Sequence, residues 1–192
     1  MPILSKYFYL RPDVVQISKE LLGKVLFTNI NGIITAGIIT ETEAYAGIVD
    51  KASHAYNNRR TNRTEIMFAK GGVSYVYLCY GIHHLFNIVT NIKDIPHAVL
   101  IRAIQPVQGL DEILSRRKLT KPTAKMTSGP GTVSQALGIT TAFSGLSLQG
   151  NIIWVEEKGI SVIENQIITG PRIGVDYAAE DALLPYRFRL SQ

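Results

Sequence analysis

The stretch KVLFTNINGIITAGIITETEAY, Lys24 to Tyr45, decides the fold. Two runs rich in apolar and β-branched residues are joined by Asn31-Gly32, the dipeptide favoured by type I′ hairpin turns because both central residues must take φ > 0. The reading is therefore an antiparallel hairpin. Near the end of its second arm Glu41, Glu43 and Tyr45 follow one another at a spacing of two. At about 3.3 Å per residue they point the same way, with neighbours about 7 Å apart.

Working outward, Val14, Val15, Ile17, Leu21 and Leu22 fall at helical spacing after Pro12, with Gly23 as a stop. In TNRTEIMFAKGG, Asn62 is placed to cap a short helix with Glu65 three residues on. VSYVYLCYGIHHLFNIVTN alternates, with Tyr75, Tyr77 and Cys79 on one face, and turns around Tyr80, Gly81, Ile82 and His83. That turn leaves an aromatic ring at a tip where water is the default neighbour. HAVLIRAIQP is a further strand with Arg102 embedded in an apolar run, and GLDEILSRRK is helical with a basic end. In SGPGTVSQALG, Ser128 is the expected cap and Gly138 the stop. IWVEE, PRIGVDYA and YRFRL read as short strands. Strands and scattered helices without a βαβ rhythm predict an α+β domain around a mainly antiparallel sheet.

At 192 residues and 46% hydrophobic, the chain can bury one sizeable core, and residues 1–192 read as one domain. Its formal charge of +5 favours polyanionic partners, although many ordinary enzymes share such a balance. One cysteine, Cys79, excludes an internal disulfide framework and a Cys-based zinc site. No apolar run of membrane-spanning length and no secretory leader is visible, so an intracellular protein without membrane attachment is expected.

The chemistry concentrates in ETEAYAGIVDKASHAY, Glu41 to Tyr56. Two carboxylates on one strand face suit glycoside hydrolysis, which uses carboxyl groups about 5–9.5 Å apart. They equally suit ion pairs at a sheet edge. A metal set of Glu43, His54 and one of His83, His84 or His97 has no helical i, i+4 spacing and is the weaker reading. Tyr45, His54, Tyr75 and Tyr77 converging on Glu43 would form a slot for a planar heterocycle, or else a tyrosine-rich core with its hydroxyls at the rim. A ring exposed at Tyr80 on a basic protein is what a nucleic-acid wedge requires.

ETEAYAGIVDKASHAY, SYVYLCYG, FNI, VLIRAIQPVQG, SGPGTVSQALGI and PRIGV, in that order and spacing, resemble the alkyladenine (3-methyladenine) DNA glycosylases of the animal and bacterial type, from about Lys24 to Leu190. The resemblance implies a compact α+β domain with a curved sheet and flanking helices, similar to the C-terminal domain of methionyl-tRNA formyltransferases. It implies a monofunctional enzyme, with no metal or other cofactor, that flips alkylated or deaminated purines out of double-stranded DNA and hydrolyses the N-glycosidic bond. A monomer is expected. So is a bacterial cytoplasmic setting at the nucleoid rather than a eukaryotic nucleus.

By the same resemblance Glu43 matches the general base, and Arg102 and the backbone carbonyl of Ile173 match groups that hold its water. Tyr45, His54 and Tyr77 match the residues that sandwich the base. Asn87 matches the side chain that crowds the amino group of guanine, and Tyr80 the intercalating wedge. Arg59, Arg63, Arg116, Arg117 and Lys118, with Lys121 and Lys125, are candidate phosphate contacts. Glu41 is left as a structural neighbour. AYNNRR after the histidine, and His83 and His84 in the hairpin, depart from the animal pattern. A non-catalytic nucleic-acid-binding module and a hydrolase of free nucleosides are the competing readings.

Overall fold

The computed structural model describes residues 2–191. The elements run α1 (Lys6–Tyr9), α2 (Val14–Glu20), β1 (Val25–Ile30), β2 (Ile33–Tyr45), β3 (Ser74–Cys79), β4 (His83–Thr90), β5 (His97–Gln108), α3 (Leu110–Arg117), α4 (Pro130–Leu137), β6 (Ile153–Glu156), β7 (Ile167–Gly170) and β8 (Arg187–Leu190). The fold is α+β. All eight strands join one curled sheet in the order β3-β4-β5-β2-β1-β6, with β8 on β2 and β7 on β8, and every pairing is antiparallel.

The β1–β2 hairpin turns where the sequence places it. Asn31 (φ 56) and Gly32 (φ 79) both take the left-handed conformation that a type I′ turn needs. β2 is the organising strand, because it pairs β1 along its first half and both β5 and β8 around Glu41–Glu43. Register shifts flank Glu41 on the β5 side.

Alternation along the strands sorts the two faces of the sheet. One face carries Leu26, Ile39, Ala44, Val76, Phe86, Ile88, Val99 and Ile101, and packs against Ile17 and Leu21 of α2 and Val133 and Leu137 of α4. The helices bury their apolar stripes there, so most of the core lies on that side. The opposite face carries Glu43, Tyr75, Asn87 and Leu100. These four occupy one cross-strand row, with Tyr75 opposite Asn87, Asn87 opposite Leu100, and Leu100 opposite Glu43. Three strand spacings separate Tyr75 from Glu43, about 14 Å at about 4.8 Å each.

α2 opens with Asp13, whose carboxylate accepts from the Gln16 N–H at 2.9 Å. Several local expectations are corrected. Ser128 does not cap α4; Gly129 (φ 137) holds that position and Pro130 opens the helix, while Ser128 bridges Ala103 in the sheet. Pro at the first helical position needs no N–H, so the helix starts without a side-chain cap. Asn62 caps nothing either. The segment Glu65–Phe68 is a 3₁₀ turn that starts after Thr64, whose hydroxyl and backbone serve the preceding turn at Thr61 instead. PRIGVDYA is not a strand: residues 171–175 form a loop and Asp176–Leu183 a kinked 3₁₀ segment. The strand in that region is β7, one segment earlier, for which β8 supplies the partner. Among the described residues no helix is long and apolar enough to cross a membrane.

Candidate active site

The polar face of the sheet opens into a cavity of about 310 Å³, at the small end of the range for ligand pockets. Tyr45, His54, Tyr77, Asn87 and Arg102 line it, with Met67, Ala98 and Leu100 below and Tyr80 and Ile173 at its edge. Strand periodicity explains the wall: Tyr75 and Tyr77 on β3 stand opposite Asn87 and Leu85 on β4. His54 arrives from the loop after β2. Its ring lies edge-on to Tyr77 with centroids 4.6 Å apart, and its Nδ1 is 2.9 Å from the Tyr75 hydroxyl.

Glu43 sits behind this wall with no exposed surface. Its Oε1 accepts the Ile173 N–H at 2.8 Å and lies 3.4 Å from Arg102 Nη1, and its Oε2 accepts the Tyr45 hydroxyl at 2.8 Å. Burial pushes its carboxyl above the ordinary range; Arg102, the Ile173 amide and the Tyr45 hydroxyl pull the other way, and Glu41 adds to the upward push. Arg102 opposes the desolvation of Glu43 without cancelling it. The shared arginine also ties down Glu41, which accepts from its Nε at 3.0 Å and has Arg187 at 3.6 Å. Glu41 is thus the second carboxylate on one guanidinium.

His54 is neutral at physiological pH: burial, then the nearby Arg63 and Arg59, depress it to about 4. Arg63 lies 5.0 Å over the Tyr77 ring and reaches His54 Nε2 at 3.5 Å. A guanidinium only donates, so Nε2 is the acceptor and Nδ1 carries the proton toward Tyr75. The Asn87 amide is anchored too, donating to Tyr75 O at 3.1 Å and Leu85 O at 3.2 Å.

Tyr80 stands at the tip of the β3–β4 hairpin, 90% exposed, with Ile82 beside it, also exposed. Tyr80 (φ 51) and Gly81 (φ 73) are both left-handed, which closes the short turn and projects the ring outward.

The candidate cations divide. Arg59 and Lys118 are exposed and have no ion pair among the described residues, and Arg59 and Arg63 border a second depression beside His54. Arg116 bonds Glu112, the Thr35 hydroxyl and Ala136 O, and Arg117 bonds Met126 O and Gln135. Those two guanidinia fasten α3 to α4 and β2. The metal set is not assembled, since among the described residues no three His, Cys, Asp or Glu side chains are grouped to hold an ion.

Two features escaped the sequence reading. One is the bond from the Ile173 N–H to Glu43, which adds to the water-holding carbonyl role expected of that residue. Asp50 and Arg172 were not singled out at all, yet both are buried and form a two-pronged ion pair beneath Tyr45. They are 122 residues apart, and no local pattern links them. A charged residue inside the motif-like PRIGV was the only available signal.

Comparison with known proteins identifies the family of this chain. Curated proteins named "Putative 3-methyladenine DNA glycosylase" are 49% identical to it in Chlamydia abortus, over 98% of each chain, and 46% identical in Bacillus cereus, over 92% of this chain and 90% of the other. The family model for methylpurine-DNA glycosylase (MPG) matches residues 7–192. The chain therefore belongs to the methylpurine-DNA glycosylase family, DNA repair enzymes that hydrolyse N-glycosidic bonds.

Proposed function

We propose that this protein is a monofunctional DNA glycosylase that flips alkylated or deaminated purines of the 3-methyladenine, 7-methylguanine, hypoxanthine and ethenoadenine type out of duplex DNA and releases them by water attack at C1′. The observation that carries this reading is a fully buried carboxylate, Glu43, held by three groups behind the wall of an aromatic slot that has an exposed hairpin-tip ring at its edge.

In this scheme the slot formed by Tyr45, His54 and Tyr77 takes the extruded base. Ring faces attract a cationic methylated purine, and a neutral His54 adds no opposing charge. Asn87, fixed by its two backbone bonds, presents a rigid edge against which an extra exocyclic amino group would collide. Tyr80 fills the gap left in the stack, and Arg59, Arg63 and Lys118 take phosphates. Arg116 and Arg117 contribute through any donor their internal bonds leave free.

For the chemical step, a water oxygen bonds to C1′, the electron pair of the glycosidic bond leaves with the base, and Glu43 takes the water proton. Arg102 and Arg187 balance Glu41 and Glu43 overall, so it is the nearness of the ionised Glu43 carboxylate to C1′, not a net negative cluster, that favours an oxocarbenium-like centre. Glu43 has no accessible surface in the free chain, so seating the nucleotide must turn the Tyr45 hydroxyl away from Oε2 or part the Ile173 loop to admit the water. No lysine lines the cavity among the described residues, which supports hydrolysis without a Schiff base and hence without strand cleavage.

The test is release of free base from methylated DNA, and from a duplex with one hypoxanthine or ethenoadenine, by wild type and Glu43→Gln. Release by wild type alone, with binding retained by the variant, is expected. Tight binding to lesions with no release by either would leave a nucleic-acid-binding module in place of an enzyme.

A further inference from the structure

The geometry points to Arg172, locked by Asp50, as the positioning residue that sets the Ile173 amide and the Tyr45 ring against Glu43. The inference rests on Glu43 acting as the base. Residues 171–174 form an irregular loop, and among the described residues the only hydrogen bond from its backbone between β7 and Val175 is the one from Ile173 N–H to Glu43 Oε1 at 2.8 Å. A lone amide on an irregular loop does not hold a 2.8 Å contact unless something fixes the chain beside it. That anchor is the next residue back. Arg172 Nη1 donates to Asp50 Oδ2 and to Ala44 O at 2.9 Å; Nη2 donates to Asp50 Oδ1 at 2.8 Å and to Asp181 O at 3.0 Å. Asp50 is itself locked, accepting the Ala46 N–H at 3.1 Å on Oδ2 and the Ala52 N–H at 3.0 Å on Oδ1.

The guanidinium thus ties the loop to the end of β2 at Ala44 and, through Asp50, to the turn that follows it at Ala46, so the clamp holds the chain on both sides of Tyr45. Its Cζ lies over the Tyr45 ring, 4.8 Å from the centroid, and over that of Tyr186 at 5.3 Å. Two of the three groups that bond Glu43 are therefore held by one side chain, whereas the third, Arg102, is held by β5 and Glu41. An arginine suits this task because its planar fork fixes direction as well as distance. Pairing with Asp50 leaves the clamp with no net charge. It orients the Glu43 partners without adding a positive field where the sugar becomes cationic.

The test is single-turnover base release from duplex DNA carrying one hypoxanthine, measured against pH, with duplex affinity measured alongside. The variants are Arg172→Lys, Asp50→Asn and the double change Asp50→Leu with Arg172→Met, which removes both charges together so that none is left buried alone. Loss of a positioning contact of this kind costs about 10²-fold in rate, and that loss is expected in the double variant with affinity little changed. The Ile173 amide favours the charged form of Glu43, so the pH midpoint of the rate must also move upward. Of the other groups facing Glu43, Glu41 on β2, Arg102 on β5, Arg187 on β8 and Tyr177 beyond the loop keep their own anchors, while Tyr45 loosens with the clamp and the loss of its hydroxyl bond to Glu43 moves the midpoint in the same direction. Arg172→Lys, which keeps the charge but not the fork, should restore part of both effects.

A folded double variant with wild-type rate and midpoint would overturn the proposal. So would a rate loss that follows the unfolded fraction with the midpoint in place. If the double variant does not fold, Asp50→Asn carries the same two readouts. Glu43→Gln in the same assay separates the failures: release surviving in that variant, or absent from wild type, defeats the catalytic reading itself. Normal wild-type release with an unmoved midpoint in the clamp variants defeats only the clamp.

Discussion

Replacing Tyr80 separates the stability of the hairpin from the proposed work of its tip on DNA. The ring is 90% exposed, so removing it forfeits almost no buried area in the free protein. Its backbone, at φ 51, is left-handed, which costs a residue with a Cβ about 1–2 kcal/mol. Tyr80→Gly removes that strain but gives the unfolded chain about 0.4–1 kcal/mol more entropy. The folded state should therefore gain between zero and about 1.5 kcal/mol. On duplex DNA the sign reverses. A ring stacked in place of an extruded base contributes about 1–3 kcal/mol, so release from a duplex should fall by about 5- to 150-fold. On the same oligonucleotide as a single strand no stack needs filling, and the loss should be about twofold or less. Thermal unfolding of the free protein and single-turnover release from both substrates, for wild type, Tyr80→Ala and Tyr80→Gly, measure these quantities. Equal losses on the two substrates, or undiminished release from the duplex, would refute the wedge. A lower unfolding temperature for Tyr80→Gly would refute the strain argument.

Two further outcomes follow from the site. Arg59→Ala should reduce the slope of log K against log salt by about 0.9 for one lost phosphate contact, whereas Arg116→Ala should lower the unfolding temperature, since its guanidinium fastens α3 to β2 and α4; the opposite assignment of slope and stability would overturn this division. His54, depressed to about 4 by burial and then by Arg63 and Arg59, binds its proton more readily unfolded, at an ordinary value of about 6.5. Its contribution is thus fully present above about pH 6.5 and is lost as pH falls toward 4, at up to about 1.4 kcal/mol per pH unit. Unfolding temperatures of wild type and His54→Gln should diverge across that window, and parallel curves would contradict it.

The legible parts of this molecule were those in which neighbouring residues decide the outcome. Asn31-Gly32 declared its turn because few other dipeptides tolerate two positive φ angles, and period-two alternation placed Tyr75, Tyr77 and Cys79 on one face. The same rule put Glu41, Glu43 and Tyr45 together, and β5 then supplied Arg102. Parts settled by distant packing were not legible. PRIGVDYA has the β-branched look of a strand, yet Arg172 is drawn down to Asp50 by a buried ion pair that no local propensity reveals. Ser128 was passed over as a cap because Ala103 claims it for the sheet and Pro130 starts the helix unaided. The internal bonds of Arg116 and Arg117 were hidden in the same way, since a basic run reads as phosphate contacts until its partners on β2 and α4 are known.

Around Glu43, β2 is hydrogen-bonded along both edges, to β5 at Leu100 and to β8 at Arg187. The residues that line the slot instead come from separate places: a post-strand loop for His54, a hairpin tip for Tyr80, and an irregular segment for Ile173. Substitutions in those peripheral pieces can reshape what enters the slot while leaving the carboxylate where it is. The repertoire of bases excised can thus drift by loop variation over evolutionary time, whereas the bond that is broken stays tied to the middle of the sheet.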